Sequence, residues 1–369
     1  MSPAQTGFVF EELYLWHHTG ASAGVMPHGL DVEPGQHFES PETKRRFRNL
    51  LEVSGLLDQV VRVRAELVDE EYLAQFHTCE YIARIKERSA SSGGDAGLLT
   101  PFGKGSYEIA RLAAGGTLEA IKATLEGKVK NAYALVRPPG HHAERDRGRG
   151  FCLFGNIALA VMHVRARLGV GRVAIVDWDV HHGNGTEQAF YEERDVLTIS
   201  VHQDRLYPRD TGDIASNGSG RGLGYNLNLP LPPGCGAGAY VAAFERVVIP
   251  ALQRFKPELI VVACGFDAGG LDPLGRMMMH SDGYRSLTRL LMAAAGDLCA
   301  GRLVFSHEGG YSPWHTPYCG LAVMEELSGI RTSIDDPFLP MVRDWGQQEL
   351  QPHQSHAIDA AAALVRRIE

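Results

Sequence analysis

The stretch Asp177-Trp178-Asp179-Val180-His181-His182-Gly183-Asn184-Gly185 decides how this chain folds. It follows Arg172-Val173-Ala174-Ile175-Val176, a short β-branched run that reads as a buried strand. Alternate side chains of an extended segment point the same way. Asp177, Asp179 and His181 therefore share one side, and Trp178 and Val180 the other. Two carboxylates and an imidazole at the point where a strand enters a Gly-rich turn form a candidate metal site. Ligands of this kind suit Zn²⁺ in a catalytic rather than a structural setting. Read alone, the motif is equally compatible with an Asp-x-Asp strand cap followed by a polar loop.

Three more strands end the same way. Ala132 to Val136 runs into Arg137-Pro138-Pro139-Gly140-His141-His142, Glu258 to Cys264 into Gly265-Phe266-Asp267-Ala268-Gly269, and Leu303 to Ser306 into Glu308-Gly309-Gly310-Tyr311. Open parallel sheets gather residues distant in sequence at the carboxyl ends of their strands. Helical patterns over 106–125, 157–168, 237–255 and 282–300 alternate with these strands and with strands at Val196–Val201 and Tyr225–Leu229. The rhythm predicts one doubly wound, mostly parallel α/β domain over residues 1–369, with a core from about 8 to 330. An extension over 331–369 ends in an amphipathic helix, Ala357 to Ile368. Upstream, Gly7 to Glu11 reads as a first, edge-like strand, and 17–40 as a long loop whose first three histidines, His17, His18 and His28, belong on the surface or a rim. Glu42 to Val53 reads as a helix with a solvated basic face carrying Lys44, Arg45, Arg46 and Arg48.

The net charge of −8 argues against a nucleic-acid-binding surface. No apolar run is long enough to span a bilayer, and the N-terminus lacks the regions of a signal peptide. The 6 cysteines show no C-x-x-C pair or framework spacing, which predicts reduced thiols in a cytoplasmic protein. His202 and His280 read as hydrogen-bonded structural histidines, and Cys152 as a buried, inert thiol.

With these residues in view, the chain resembles the histone deacetylase superfamily. The resemblance rests on Arg137-Pro-Pro-Gly-His-His142, Gly150-Phe-Cys152, the Asp177–Gly185 stretch, Gly265-Phe-Asp-Ala268 and Glu308-Gly-Gly-Tyr311. It is strongest with the class II branch and its bacterial relatives, the histone-deacetylase-like amidohydrolases and acetylpolyamine amidohydrolases. The resemblance implies an arginase-like fold around an eight-stranded parallel sheet and Zn²⁺-dependent hydrolysis of an acylated amine. The implied metal ligands are Asp179, His181 and Asp267. His142 would be the general base, with Asn184 as its partner, and His141 would assist electrostatically, oriented by Asp177. Tyr311 would donate to the oxyanion.

Gly150, Phe151 and Tyr207 would line the acyl-lysine tunnel, Tyr207 being equally readable as a core aromatic. Asp95 matches a rim acid that holds the substrate backbone. A structural K⁺ is implied near Asp177, Ser200 and the main-chain carbonyls of Asp179, His181 and Val201. Homo-oligomers are common among the bacterial relatives, which makes 17–40 a candidate subunit contact. Leu274 would stand at the pocket mouth, where the polyamine-selective class II deacetylase carries a glutamate. That favours acyl-lysine over acetylpolyamine hydrolysis, the second reading. A third, a non-catalytic binding member, would be expected to have lost a ligand, the His pair or the tyrosine, and none is missing.

Overall fold

The computed structural model describes residues 5–369. Eight strands form the central sheet, in chain order β1 (Gly7–Val9), β2 (Val61–Val63), β3 (Ala132–Ala134), β4 (Val173–Asp177), β5 (Val196–Gln203), β6 (Asn226–Leu231), β7 (Leu259–Cys264) and β8 (Leu303–His307). Their spatial order is β6-β5-β4-β7-β8-β3-β1-β2, and every pairing is parallel. This is the α/β architecture that the alternation predicts, and it is consistent with the arginase/deacetylase fold. The apolar runs of β4, β5 and β7 are wholly buried, as parallel strands covered on both faces must be.

Adjacent residues of β8 show the two coverings. The Ser306 hydroxyl meets Thr117 of the Ser106–Leu125 helix at 2.9 Å, while Phe305 packs on Trp178. Trp178 in turn packs on Phe244 and on Tyr284 of the Ser281–Cys299 helix. Successive side chains point to opposite faces, so these helices flank opposite sides of the sheet. Among the described residues, no helix is long and apolar enough to cross a membrane.

The chain order turns back between β4 and β7. Strands β5 and β6 extend one way from β4, and β7 and β8 the other. Asp177 lies in register with Ser200 of β5 and Ala263 of β7, so the segments leaving β4 and β7 emerge at one level. Such a switch point opens a crevice at the carboxyl edge of the sheet.

Several local expectations are corrected. The Gly7 strand is interior, between β3 and β2; all three of its residues are buried, and the edge belongs to β2, which carries the exposed Arg62. The 17–40 segment is not plain loop but folds a small antiparallel sheet of Ala21–Ala23, Met26–Pro27 and Gly35–Gln36. His18 and His28 are exposed, yet His17 is buried, with Nδ1 2.9 Å from the Ser106 hydroxyl. The 237–255 helix contains a π turn at Phe244–Val248 just before Pro250, which has no N–H for the carbonyl of residue 246. The structure adds a helix at Thr316–Ser328 to those the sequence pattern predicts. The last helix spans Pro352–Val365 and packs against β6, burying Ile358 and Ala361.

The basic face of Glu42–Val53 is only partly solvated. Lys44 is buried, 3.3 Å from Glu39, which also takes a two-point contact from Arg137 at 2.9 and 2.8 Å. Arg137 further donates to the carbonyls of Tyr14 and His17. Burial alone would raise the Glu39 carboxyl, but Arg137 and Lys44 hold it down at about 2. Glu39→Gln would leave two buried cations without their counter-charge, and we expect a loss of about 3–5 kcal/mol in urea unfolding. A change below about 1 kcal/mol would show that the cluster is not needed for folding.

Candidate functional site

After β4 the chain turns on its own acids. Asp177 Oδ1 accepts the Asp179 N–H at 3.0 Å, and Asp179 Oδ1 accepts the His181 N–H at 2.9 Å. Trp178 and Val180 enter the core between them, so the polar set faces the crevice. From the far side of the switch point, Asp267 Oδ1 accepts the Val180 N–H at 2.8 Å. His181 Nδ1 then lies 3.0 Å from Asp179 Oδ1 and 3.1 Å from Asp267 Oδ2. Asp179 Oδ2 accepts from Gly309 N–H, and any Cβ on Gly309 would drive into both carboxylates.

Asp179 and Asp267 are both 0% exposed, and potential ligand atoms of the two and of His181 lie within 4.8 Å of one another. Burial and the Asp179 charge push Asp267 up to about 6, while burial of Asp179 is outweighed by His141 and His181, which lower it. Two buried carboxylates and an imidazole sharing so small a space fit a divalent cation. A second cluster, His141, Cys152 and Glu308, suits one less well. Burial pushes its thiol well up, its imidazole is taken by Asp177, and Glu308 already accepts two backbone N–H groups.

The His141–His142 pair reaches the same crevice from the turn after β3. Glu308 Oε2 pins that turn to β8 through the N–H groups of Gly140 (2.6 Å) and His141 (3.1 Å). His141 Nδ1 meets Asp177 Oδ2 at 2.9 Å; His142 Nδ1 meets Asn184 Oδ1 at 2.7 Å. Burial disfavours charge on both rings. Around His141 the carboxylates of Asp179 and Asp177 overcome that and raise it to about 10. Around His142 the cationic neighbours His141 and His181 add to burial, and it falls well below the ordinary imidazole range. Asn184 also donates from Nδ2 to Glu144 at 2.8 Å, which an aspartate could not do.

The crevice narrows to a cavity of about 170 Å³, with His142, His181, Gly150, Phe151, Tyr207, Leu274 and Tyr311 in its lining. Tyr207 stands edge-on to His142 at 5.0 Å. Gly150 has φ +50, and a Cβ there would strike His142 and Tyr207. Phe151 packs edge-on against Tyr311 at 5.6 Å. Burial, then the carboxylates of Asp267 and Asp179, raise the Tyr311 phenol well above its usual value, so it carries its proton. Asp272 holds the Tyr311 backbone, and burial with the Asp267 charge pushes its own carboxyl up to about 8.

Sequence reasoning missed Val25, Leu99 and Leu206, which also line the cavity from three separate loops and carry no motif. Asp95 is not in this lining; its oxygens accept the N–H groups of Gly97 and Thr100, which shapes the Leu98–Leu99 turn. Ser200 adjoins Asp177 in register and bonds His202 Nδ1 at 2.9 Å. His202 Nε2 meets the Gly212 carbonyl, and His280 caps the Ser281–Cys299 helix.

A family model described as histone deacetylase domain matches residues 37–327. A Pseudomonas aeruginosa protein named histone deacetylase-like amidohydrolase is 48% identical over 359 residues, covering 94% of each chain. A probable deacetylase of Archaeoglobus fulgidus is 36% identical over 341 residues, 91% of this chain and 90% of its own. The human polyamine deacetylase HDAC10 is 37% identical over 291 residues, 76% of this chain but 43% of its own.

If Asp179, His181 and Asp267 hold a divalent cation, protein purified with zinc should carry about one ion per chain by elemental analysis. Asp179→Asn or Asp267→Asn should reduce that strongly, since each removes a charged ligand. Full stoichiometry in both variants would dismiss this cluster as the metal centre.

Proposed function

This chain belongs to the histone deacetylase family, and from that premise we propose a Zn²⁺-dependent amidohydrolase that removes acetyl or other acyl groups from acyl-lysine or similar acylated primary amines. The observation that carries this reading is a single cavity lined by His142, His181 and Tyr311. Asp179, His181 and Asp267 would hold the ion, leaving a position open for water and the scissile carbonyl. Bound zinc supplies polarisation of that carbonyl and acidification of the water.

The rest falls to the chain's own groups. His142 keeps its Nδ1 proton on Asn184, which leaves the Nε2 lone pair to take a proton from water and return it to the departing amine. His141, held charged by Asp177 and Asp179, stabilises negative charge as it develops. Tyr311 donates its hydroxyl to the oxyanion. Phe151, Gly150 and Tyr207 enclose the acyl-amine stem, and Asp95 offers its remaining lone pairs to the substrate backbone. K⁺ would sit beside Asp177 and Ser200 with the carbonyls of Asp179, His181 and Val201. This reading rests on the strand register that sets the two side chains side by side.

The proposal extends to one catalytic unit over the whole chain and to a cytoplasmic setting, supported by 6 unpaired cysteines. Self-association through 17–40 is supported by the exposed Met26 and Leu30. Hydrolysis of a fluorogenic acetyl-lysine peptide, abolished by a chelator and restored by zinc, tests the core of the reading. No turnover by zinc-loaded protein would favour a binding-only member.

Leu274 in the cavity lining favours acyl-lysine over polyamine substrates, because an apolar mouth offers nothing to a second ammonium group. Acetyl-lysine peptides should outperform acetylspermidine in kcat/KM. Leu274→Glu should shift the ratio towards the polyamine, most at low salt. A ratio unmoved by the glutamate removes Leu274 as selector.

A second prediction concerns pH. A carboxylate beside His142 favours the imidazolium, so Asn184→Asp should raise the His142 pKa. A base with a higher pKa stays protonated to higher pH, so the acidic limb of kcat/KM should move upward. The plateau should also fall, since Glu144 would lose its donor. An acidic limb that stays put or moves down would separate His142 from general-base duty.

A further inference from the structure

Asp272 is 8% exposed, in the segment after Asp267, and its two oxygens serve two different parts of the site. Oδ1 accepts the Leu274 N–H at 2.9 Å. Oδ2 accepts the N–H of Tyr311 at 2.6 Å and that of Ser312 at 3.2 Å. Three backbone donors converge on this one buried side chain, and moving it would leave all of them without a partner.

Tyr311 needs such an anchor. It follows Gly309 and Gly310, and Gly310 has φ +119, so the chain leading to the phenol has little conformational restraint of its own. The Tyr311 ring is steadied on its flanks by Phe151 and by the buried Lys44, whose Nζ lies 5.7 Å from the ring centroid. Neither contact fixes the height of the hydroxyl in the cavity. The Tyr311 and Ser312 N–H bonds to Asp272 do, and through Oδ1 the same carboxylate sets the turn that presents Leu274.

We propose that Asp272 is a positioning residue that ties the Tyr311 phenol and the Leu274 lip of the cavity into one rigid unit. The inference rests on the deacylase reading above, in which Tyr311 donates to the oxyanion. An amide cannot replace the carboxylate. Whichever way Asn is turned, its NH₂ faces backbone N–H groups on one side, so one link of the unit is lost; even with the Tyr311 bonds kept, the phenol's turn then hangs on a side chain no longer fixed from the Leu274 side. Misplacement by a fraction of an ångström is enough to weaken an oxyanion donor.

The test is a double-mutant cycle on zinc-loaded enzyme with an acetyl-lysine peptide: wild type, Asp272→Asn, Tyr311→Phe and both. Tyr311→Phe should lower kcat by about 10²–10³. Asp272→Asn should lower kcat by about tenfold or more, with KM changed far less and zinc content intact. In the double variant the Asp272 loss should vanish, because there is no hydroxyl left to misplace. Losses in kcat that multiply, or an Asp272→Asn enzyme with wild-type kcat, overturn the inference. If Tyr311→Phe itself turns over normally, the deacylase role of the tyrosine is what fails, and the two failures are distinct. Should Asp272→Asn not fold, Asp272→Glu goes through the same cycle. It keeps both acceptor oxygens, one methylene out of place.

Discussion

Asp179 and Asp267 are fully buried on either side of His181, and the rest of the carboxyl edge is arranged around that fact. A carboxylate taken out of water costs several kcal/mol unless charge and hydrogen bonds offset it. Here the offsets are backbone and imidazole: Gly309 N–H on Asp179, Val180 N–H on Asp267, the His181 ring nitrogen between the two, and the charged His141 ring 3.8 Å from Asp179. With Asp177, which shares His141, three carboxylates face at most two positive rings, and the cluster is short by one. A divalent cation is the simplest way to close that deficit.

The same electrostatics separates two chemically identical histidines. Their rings are 3.9 Å apart, too close for both to carry charge cheaply. Asp177 and Asp179 side with His141, which takes the proton. Asn184 orients His142, and burial with the repulsion from His141 and His181 keeps that ring neutral. A neutral base beside a fixed cation follows from the choice of one carboxylate and one amide as partners. The amide has a second use that a carboxylate could not fill, its N–H bond to Glu144, which is itself clamped by Arg147 and Arg149.

The parallel sheet and its active edge were legible because they follow from short-range pattern. Apolar β-branched runs mark buried strands, and Asp, His and Tyr just past their ends mark the crevice. What pattern could not give was pairing across the chain. Lys44 reads as one more base on a solvated helix until Glu39 and Arg137, 98 residues apart, close over it. The Gly7 strand reads as an edge because nothing in Gly7 to Val9 reports that Val61–Val63 lies outside it. Val25, Leu99 and Leu206 join the cavity lining from loops of no motif, placed there only by how those loops cross the sheet edge.

Glu308 and Asp272 illustrate a further limit. Each sits inside a motif legible for its neighbours, Tyr311 in one case and Leu274 in the other, and each turns its carboxyl oxygens to backbone N–H groups rather than to substrate. Glu308 joins the His-pair turn to β8, and Asp272 joins the Tyr311 turn to the segment after β7. Three loops, those after β3, β7 and β8, are thereby cross-linked just behind the cavity. Electrostatic catalysis depends on groups that are already in place when charge develops, so that no reorganisation is needed at that moment. In this molecule that rigidity comes from buried carboxylates binding main chain. Their cost in desolvation is met by N–H donors that the glycine-rich turns leave free.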